Sequence, residues 1–282
     1  MEQPLIVFTT DFGLSDAYAG VMKGVALTIN PNLRFIDLTH QIQPQNITQA
    51  SFLLGLNHQF LPANAIHVAV VDPGVGTERR PILLTTPCGS FVGPDNGLLS
   101  GVISNYLNEN STDDGQIELP PCLSAIHLTN ADFWRRPVSE TFHGRDVFTP
   151  VAAHLSLGTE PKDFGQPINS LDYLQMPQPI IDRPTITGHV IYPDVYGNLI
   201  TNIPSKILPK SGLTRVTIKD RNINRLSRTF NDNHLLGGDK LIALIGSHGH
   251  LEIAVANGNA AELLQASQGE IVTLNSFYDL HS

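Results

Sequence analysis

The residues best suited to chemistry lie in the segment VDPGVGTERR. It places a carboxylate, Asp72, directly after a strand-like run, and an arginine, Arg79, follows seven residues later. A guanidinium beside a carboxylate keeps it ionised and oriented, and the carboxylate can then hold and polarise a water molecule. The two intervening glycines would let the backbone approach a ligand closely. A structural ion pair is the alternative interpretation of Asp72 and Arg79.

A histidine, His143, stands in the motif TFHGRDVF just ahead of a predicted helix, where Gly144 would leave room for a substrate. Histidine titrates near neutral pH and can position water or move a proton, although a structural role is also open. Asp11, Asp72 and His143 also invite a metal interpretation. The chain has no HExxH pattern, and its two cysteines, at 88 and 122, do not have the spacing of zinc ligands. We expect no metal.

The glycine-rich segment after Asp72 has some likeness to a phosphate-binding loop. It lacks the Lys-Ser/Thr ending of that loop. A carboxylate at its start would also repel a phosphate group. The sequence therefore disfavours phosphate binding here.

Four aspartates each lie in a polar motif at the end of a strand-like run. The motifs are TTDFG, DLTH, VDPGVG and GPDNG, which contain Asp11, Asp37, Asp72 and Asp95. In open α/β sheets the ligand crevice lies at the carboxyl ends of the strands, so these four side chains could converge on one rim. The alternative is that each one only starts a turn or caps a helix.

The elements that must position these residues follow an α/β pattern. Short β-branched runs at 5–10, 33–39, 66–71 and 125–129 alternate with helical patterns, which is typical of a layered sheet flanked by helices. Pro31 would end a first helix that begins at Asp16, and Asn46 would cap a second. A further helix should follow TFHGRDVF. The polar segment 109–122 is predicted to be a surface loop.

The chain is long enough for two domains. A Pro-bearing stretch without periodicity extends over residues 159–184, which is typical of a linker. We therefore predict an α/β catalytic domain over 1–170, a Pro-rich linker over 171–184 and a C-terminal domain over 185–282. Short strand-like runs separated by turn residues make the last an antiparallel β-barrel-like domain or a sandwich.

The charge pattern excludes several classes of partner. The net charge is −9, and Lys and Arg are scattered, so no basic surface for nucleic acid or anionic lipid is expected. No apolar run reaches the roughly 18 residues that cross a bilayer, and no charged leader precedes the first strand, which favours a cytoplasmic location. Charged residues are only 15% of the chain, a low share that favours an oligomer.

Six motifs, in order along nearly the whole chain, carry a specific resemblance. They are TDFGLSDAYAGVMKG, VDPGVGTERR, GPDNGLLS, TFHGRDVF, DVYGNLITNI and GSHGHLEIAVANG. Together they resemble the S-adenosylmethionine hydroxide adenosyltransferases, relatives of the nucleophilic halogenases. The resemblance implies an α/β N-terminal domain, a β-barrel-like C-terminal domain and a homotrimer. It places each ligand between the N-terminal domain of one subunit and the C-terminal domain of the next.

The resemblance also implies a reaction, the hydrolysis of S-adenosylmethionine (SAM) to adenosine and methionine without a cofactor. The family's water-activating trio falls on Asp72, Arg79 and His143. A sulfonium is already a good leaving group, so catalysis needs mainly an aligned water and help in removing its proton. We assign Asp72 to orient and polarise the water, Arg79 to hold Asp72, and His143 to assist, with the roles of Asp72 and His143 exchangeable.

The family's adenosine contacts fall on three residues. Asp11 matches the position that binds the ribose hydroxyls, which suits a carboxylate because it can accept two hydroxyl protons. Asn198 falls where an amide reads the adenine edge, and Asn257 lies where backbone groups meet the adenine. The resemblance implies that each site combines Asp11 of one subunit with Asn198 of the next. A monomer should therefore be inactive.

The methionine end falls on four residues. Asp16 and Asp194 match positions that suit the ammonium group, and Ser247 matches one that suits the carboxylate. His248 stands where the halogenases have an arginine, which leaves open how the substrate carboxylate is held.

The sequence leaves three alternatives to this reaction. A halogenase would need a neutral pocket for the halide. The position of Asp72 matches a tyrosine in the halogenases, and the Asp72 carboxylate would repel a halide. A non-catalytic sensor would bind SAM or adenosine and use the trio only as ion pairs. A hydrolase of another adenosyl compound would keep the ribose and adenine contacts and differ at His248.

Overall fold

The chain divides into two compact units, Met1–Met176 and Pro177–Ser282. The structure is a computed structural model that describes residues 3–107, 115–209, 213–230 and 240–277. Each unit has its own sheet and its own hydrophobic core. The mixed fold class predicted from the sequence, an α/β unit followed by a β-barrel-like unit, is confirmed.

The first unit is built around a seven-stranded sheet. The strands of the whole unit, in chain order, are β1 (Leu5–Thr10), β2 (Arg34–Thr39), β3 (Ile66–Val70), β4 (Pro81–Thr86), β5 (Gly89–Pro94), β6 (Gly115–Glu118), β7 (Ser124–Leu128), β8 (Gly165–Ile168) and β9 (Ser170–Tyr173). The order across the sheet is β2-β1-β3-β5-β4-β7-β8, and β6 and β9 form a separate pair. Strands β2, β1, β3 and β5 are parallel, so their carboxyl ends share one edge.

Helices cover both faces of this sheet. They are α1 (Tyr18–Ile29), α2 (Ile47–Asn57), α3 (Ser100–Ile103) and α4 (Thr149–Leu155). Alternate residues of β3 face opposite sides: Val68 and Val70 pack in the core that includes α1 and α4, and Ala69 packs in the core that includes α2 and α3. The Asn46 side chain accepts a 2.9 Å hydrogen bond from the Gln49 amide, as expected of an N-cap. No described helix is long and apolar enough to cross a membrane.

Two segments predicted as linker or loop contain strands. Strand β9 begins just before the predicted linker 171–184 and continues into it, and it pairs with β6, which lies in the predicted surface loop 109–122. Residues 109–114 of that loop lie outside the described residues. Strand β8 lies at the edge of the main sheet and tolerates Pro167, because an edge strand needs hydrogen bonds on one side only. Short edge strands that pair with distant segments leave little local periodicity to detect.

The core of the first unit contains one histidine that cannot readily become charged. His67 on β3 is fully buried, and its ring stacks on Phe91 with centroids 4.4 Å apart. Both of its ring nitrogens lack a hydrogen-bond partner among the described residues. Burial, assisted by the neighbouring His58, lowers the pKa of His67 from 6.5 to about 4. A neutral imidazole is therefore the form that packs here.

This histidine should make the protein less stable in acid. Above pH 6.5 it is neutral in both states; as the pH falls from 6.5 towards 4 the unfolded chain takes up a proton that the folded chain refuses. The free energy of unfolding should drop by about 3 kcal/mol over that window. Urea unfolding of wild type and His67→Leu at pH 7.5 and 4.5 would measure it. The variant should lose this part of the pH dependence, and an equal slope in both proteins would contradict the assignment.

The second unit is a nearly closed, barrel-shaped sheet. Its strands are β10 (Ile180–Asp182), β11 (Thr185–Pro193), β12 (Leu199–Pro204), β13 (Leu213–Ile218), β14 (Arg221–Ile223), β15 (Leu226–Ser227), β16 (Leu241–Ile245), β17 (His250–Val255) and β18 (Ile271–Phe277). The order is β14-β13-β18-β11-β12-β17-β16-β15, with β10 on β11. Strand β14 also approaches β16, which nearly closes the sheet. A short helix, α5 (Ala260–Leu264), packs against its core.

Candidate active site

A cavity of about 580 Å³ opens at the carboxyl ends of β1 and β3 in the first unit. Its walls come from the residues that follow these strands and from the segment ahead of α4. They include Asp11, Phe12, Asp72, Pro73, Phe142 and His143. The cavity therefore lies where ligands bind in open α/β sheets.

Asp72, Arg79 and His143 meet in one hydrogen-bonded constellation at this cavity. The Arg79 guanidinium donates from Nε to Asp72 Oδ1 at 2.8 Å and from Nη2 to Asp72 Oδ2. The same Nη2 group donates its second proton to His143 Nδ1 at 2.8 Å. Arg79 thus binds the carboxylate bidentately and links it to the imidazole, the arrangement for which a planar guanidinium is suited.

Arg79 itself is packed from behind. Its side chain is 8% exposed, that of Asp72 is 5% exposed, and the guanidinium carbon lies 5.2 Å from the centre of the Phe148 ring. The cation–π contact adds to the ion pair in a largely desolvated place. A buried charge needs a partner, so replacing either member of this pair would lower the free energy of unfolding.

The contact with Arg79 fixes the tautomer of His143. A guanidinium nitrogen only donates, so Nδ1 must accept and cannot carry a proton. Burial, followed by the positive charge of Arg79, lowers the pKa of His143 below its ordinary value. His143 is therefore a neutral imidazole that carries its proton on Nε2, and that nitrogen is a hydrogen-bond donor.

The glycine-rich turn after Asp72 serves packing. The sequence predicted that its glycines let the backbone approach a ligand, but Gly76, at φ +77°, approaches another segment of the protein. A Cβ atom there would lie 2.4 Å from the carbonyl oxygen of Glu140. Only glycine allows this contact between the turn and the segment that carries His143. The turn leads into β4, with no helix N-terminus to receive a phosphate.

The segment ahead of α4 is held by a buried carboxylate that sequence reasoning missed. A five-residue π-helix, Gly144–Phe148, follows His143, and its Asp146 is fully buried. Asp146 accepts from the Ser139 amide at 2.9 Å and from the Arg145 guanidinium at 2.7 Å. These bonds outweigh burial and lower the pKa of Asp146. The charged pair after the histidine in HGRD was the available signal.

Gly144 does not leave the room that was predicted for it. A Cβ atom would lie 3.3 Å from Met22 Sδ and 3.3 Å from the Phe142 ring. Such contacts are tighter than most, so glycine here serves the packing of the π-helix against α1 as well as the cavity wall.

Three aromatic rings form a wall of the cavity that the sequence did not indicate. Phe12, Tyr18 and Phe142 lie with ring centroids 5.2 to 5.8 Å apart, in tilted and edge-to-face arrangements. All three line the cavity. Aromatic walls next to a few polar groups are typical of small-molecule sites.

Only two of the four strand-end aspartates line the cavity. Asp11 and Asp72 do, whereas Asp37 lies within β2 and pairs with Lys23 at 2.6 Å and with His40 at 3.1 Å. Burial acts to raise the pKa of Asp37, but these hydrogen bonds outweigh it and the pKa is lowered. For Asp37 the expectation of a shared rim is wrong, because its strand turns the side chain towards α1.

Asp95 is a structural residue of the first unit. It is 3% exposed, accepts from Arg80 Nε at 2.8 Å and from the Asp172 amide at 2.8 Å, and so fixes β9 beside the end of β5. Burial raises its pKa in spite of these partners. The expectation that Asp95 shares the rim is also wrong.

The two remaining candidates of the first unit differ in their surroundings. Asp11 lines the cavity and accepts a 2.8 Å hydrogen bond from the Gln45 amide, which orients one carboxylate oxygen and leaves the other available. Asp16 is exposed in the segment between β1 and α1 and is not among the residues that line the cavity.

In the second unit, Asp194 organises the turn between β11 and β12. Its Oδ1 accepts from the amides of Tyr196 and Asn198, each at 2.9 Å, and its Oδ2 accepts from Asn198 Nδ2 at 3.0 Å. Asn198 is 7% exposed. Gly197, at φ +78°, lies so close to Asn259 that a Cβ atom would be 1.9 Å from Asn259 Oδ1. The turn is thus built by the residues assigned to binding.

The other candidates of this unit lie at the two ends of β17. Ser247 is exposed and His248 half-buried in the turn before the strand, and exposed Asn257, at φ +57°, follows the strand. Among the described residues, no group of three or more His, Cys, Asp or Glu side chains is gathered as a metal site would need.

Family models cover both units of the chain. The model of the SAM hydroxide adenosyltransferase N-terminal domain matches residues 6–165, and that of the C-terminal domain matches residues 188–273. The chain belongs to the SAM hydroxide adenosyltransferase family. The resemblance stated from the six motifs is confirmed.

Individual relatives agree with this membership. A protein of Salinispora arenicola named (R)-S-adenosyl-L-methionine hydrolase is 38% identical over 95% of this chain and 96% of its own length. A crystal structure of an uncharacterised conserved protein from Thermotoga maritima matches 96% of this chain and 99% of its own, at 32% identity and a TM-score of 0.83. Fluorinases are more distant: one from Nocardia brasiliensis is 24% identical over 93% of this chain.

Proposed function

We propose that this protein hydrolyses SAM to adenosine and methionine. The observation that carries the proposal is the constellation of Asp72, Arg79 and His143 on the wall of the cavity at the sheet edge. The names of the relatives at 33% to 38% identity over nearly the full chain agree with this reaction. SAM is the substrate, and no cofactor is required.

The reaction asks for alignment more than for activation. The oxygen of a water molecule attacks the 5′ carbon of the ribose in line with the bond to sulfur. That bond breaks, its electron pair returns to sulfur, and the neutral thioether of methionine leaves. The oxygen that has bonded to carbon must lose a proton to give the 5′ hydroxyl of adenosine. A positioned water and a proton acceptor therefore suffice.

The hydrogen bonds divide these tasks between Asp72 and His143. His143 carries its proton on Nε2 and has its Nδ1 lone pair occupied by Arg79, so it has no free lone pair to accept a proton. Each carboxylate oxygen of Asp72 keeps a further lone pair beside the bond to Arg79. Asp72 is thus the proton acceptor, and His143 donates a hydrogen bond that holds the water oxygen.

The substrate contacts follow the two ends of the ligand. Asp11 binds the ribose hydroxyls beside the constellation. In the second unit, Leu199 pairs with Ile253 and Pro204 with His250, so the turn of Asn198 and the turn of Ser247 lie at opposite ends of the β12–β17 pair. The Asn198 turn also contains Asp194, so it supplies contacts for the adenine and for the ammonium group, and the Ser247 turn supplies the contact for the carboxylate.

The active form is a homotrimer in which the second unit of one subunit completes the cavity of the next. Two large apolar side chains at the tip of the β11–β12 turn support an assembly, because Val195 is 84% and Tyr196 73% exposed. Exposed apolar groups clustered beside predicted binding residues are typical of a surface that becomes covered. The cytoplasmic location stays a prediction of the sequence.

The alternatives meet different obstacles. A halide bound where the water binds would lie beside the Asp72 carboxylate, a repulsion of about 1 to 4 kcal/mol at moderate effective dielectric. A sensor would have no need of a proton acceptor on the cavity wall. Another adenosyl compound would use the same adenosine contacts and differ at the methionine end.

One incubation tests the proposal against all three. We expect purified protein and SAM to yield adenosine and methionine in equal amounts, at the same rate with a chelator and with added chloride, as measured by chromatography and mass spectrometry. A 5′-chloro-5′-deoxyadenosine product would favour the halogenase. Bound but unchanged SAM would favour the sensor or another substrate, and chelator-sensitive activity restored by a divalent ion would refute the metal-free mechanism.

A further inference from the structure

A buried carboxylate, Glu252, lies beneath the turn that joins β16 to β17. It is 4% exposed, in register with Ile200 on β12 and Leu244 on β16. A carboxylate in such a place needs a partner. Among the described residues, the basic side chain that lies within 4 Å of the Glu252 carboxylate is His248, whose Nε2 is 3.4 Å from Oε2.

The ring of His248 is folded back towards Glu252. Its Nδ1 accepts a 3.2 Å hydrogen bond from the His250 amide. Its Nε2 is wholly buried, makes no hydrogen bond among the described residues, and lies 3.4 Å from Glu252 Oε2. With Nδ1 accepting, the proton is on Nε2. Neither ring nitrogen is therefore free to meet a substrate.

Gly246 makes this arrangement possible. A Cβ atom there would lie 2.4 Å from Glu252 Oε2 and 2.5 Å from His248 Nε2. The glycine, the imidazole and the carboxylate thus fill one volume under the turn. The turn is closed above them by a 2.9 Å bond from the Gly249 amide to the Gly246 carbonyl.

The outward face of the turn offers donors. Ser247 is exposed. Within the described residues, the backbone N–H groups of Ser247 and His248 donate to no protein acceptor. A hydroxyl and two free N–H groups on one tight turn can together receive a carboxylate.

We propose that Glu252 is a positioning residue for substrate recognition: it holds the His248 ring under the β16–β17 turn, so that Ser247 and the turn's N–H groups receive the substrate's carboxylate. This inference rests on the proposed function, because the carboxylate is that of the methionine end of SAM. It answers how that end is held without an arginine: the imidazole supports the turn and does not touch the ligand.

The test compares SAM with decarboxylated SAM, which lacks only the carboxylate. For Glu252→Leu we expect KM for SAM to rise about tenfold, the loss of roughly one hydrogen bond to a charged group. Its kcat should stay within about twofold, and its KM for decarboxylated SAM should not change. Glu252→Gln keeps the size of the side chain and an oxygen facing Nε2, so it should behave nearly as wild type. Glu262→Gln, an exposed carboxylate on α5, is the matched control.

Two further variants keep the proposal decidable if Glu252→Leu does not fold. His248→Asn can accept from the His250 amide but cannot reach Glu252, and Ser247→Ala removes the exposed hydroxyl. Both should raise KM for SAM selectively. Equal losses for both substrates, or no loss, would overturn the proposal. Dissociation constants from calorimetry separate the role of Glu252 from the proposed reaction. A wild type that binds SAM without forming adenosine would refute the hydrolase. The dissociation constants of SAM and decarboxylated SAM, compared between wild type and the variants, would still test the role of Glu252.

Discussion

Asp72→Asn should lower kcat for adenosine formation by about 10³-fold, within the range that a positioned general base contributes. The amide has nearly the shape of the carboxylate but cannot accept the proton of the attacking water. The substitution also removes the negative charge that Arg79 binds through Nε and Nη2. Adenosine should still bind with a dissociation constant within a few-fold of wild type, because the ribose contact is assigned to Asp11. Steady-state kinetics and calorimetry measure the two quantities.

The control for this variant is Asp132→Asn. Asp132 also faces an arginine, at 3.7 Å from Arg136, but both side chains are largely exposed. Surface ion pairs of this kind contribute little, so activity and stability should be unchanged. Turnover in Asp72→Asn at the wild-type rate would remove the proton acceptor from the mechanism. A parallel loss of adenosine binding would instead mean that the substitution had disrupted the cavity.

Arg79→Lys should lower kcat about 10²-fold even though it keeps the positive charge. An ammonium group has no planar fork, so it cannot bind both oxygens of Asp72 and also donate to His143 Nδ1. His143 would then be free to rotate or to take the other tautomer. The rate of SAM hydrolysis, measured at saturating substrate, reports the effect.

Arg79→Met separates positioning from charge. It leaves the Asp72 carboxylate, 5% exposed, without its cation, and removing one partner of a buried pair typically costs about 3 to 5 kcal/mol. We expect a clearly lower melting temperature and less residual activity than in Arg79→Lys. Equal activity of the two variants would show that the planar fork, and not the charge, is what Arg79 supplies to catalysis.

The sequence identified the constellation through its resemblance to the family, since Asp72, Arg79 and His143 stand in the motifs VDPGVGTERR and TFHGRDVF. Asp72 follows a run of buried β-branched residues, and the α/β alternation puts the ends of parallel strands on one edge. The end of the first helix and the Asn46 cap were also readable, since proline and capping residues act on the neighbouring backbone. These are local effects, and local sequence is enough to predict them.

Strand ends did not by themselves select the site. Asp11, Asp37, Asp72 and Asp95 look alike along the chain, yet Asp37 pairs with Lys23 on α1 and Asp95 with Arg80. Whether an aspartate lines a cavity or serves an ion pair depends on which side chains arrive from distant segments. The strands β6 and β9 escaped prediction for the same reason, since each is defined by its partner.

The sequence alone determined the family and the three residue types of the constellation, because both follow from the order of the six motifs. It also determined the two-part architecture, because strand and helix patterns follow from the spacing of hydrophobic residues. Only the tertiary structure decided their roles. The Nδ1 of His143 meets Arg79 across 64 positions of sequence, and that contact fixes which nitrogen bears the proton. The His248 ring likewise faces inward, towards the Glu252 carboxylate on β17. Proton positions and side-chain directions are set by such non-local contacts, which no local pattern encodes.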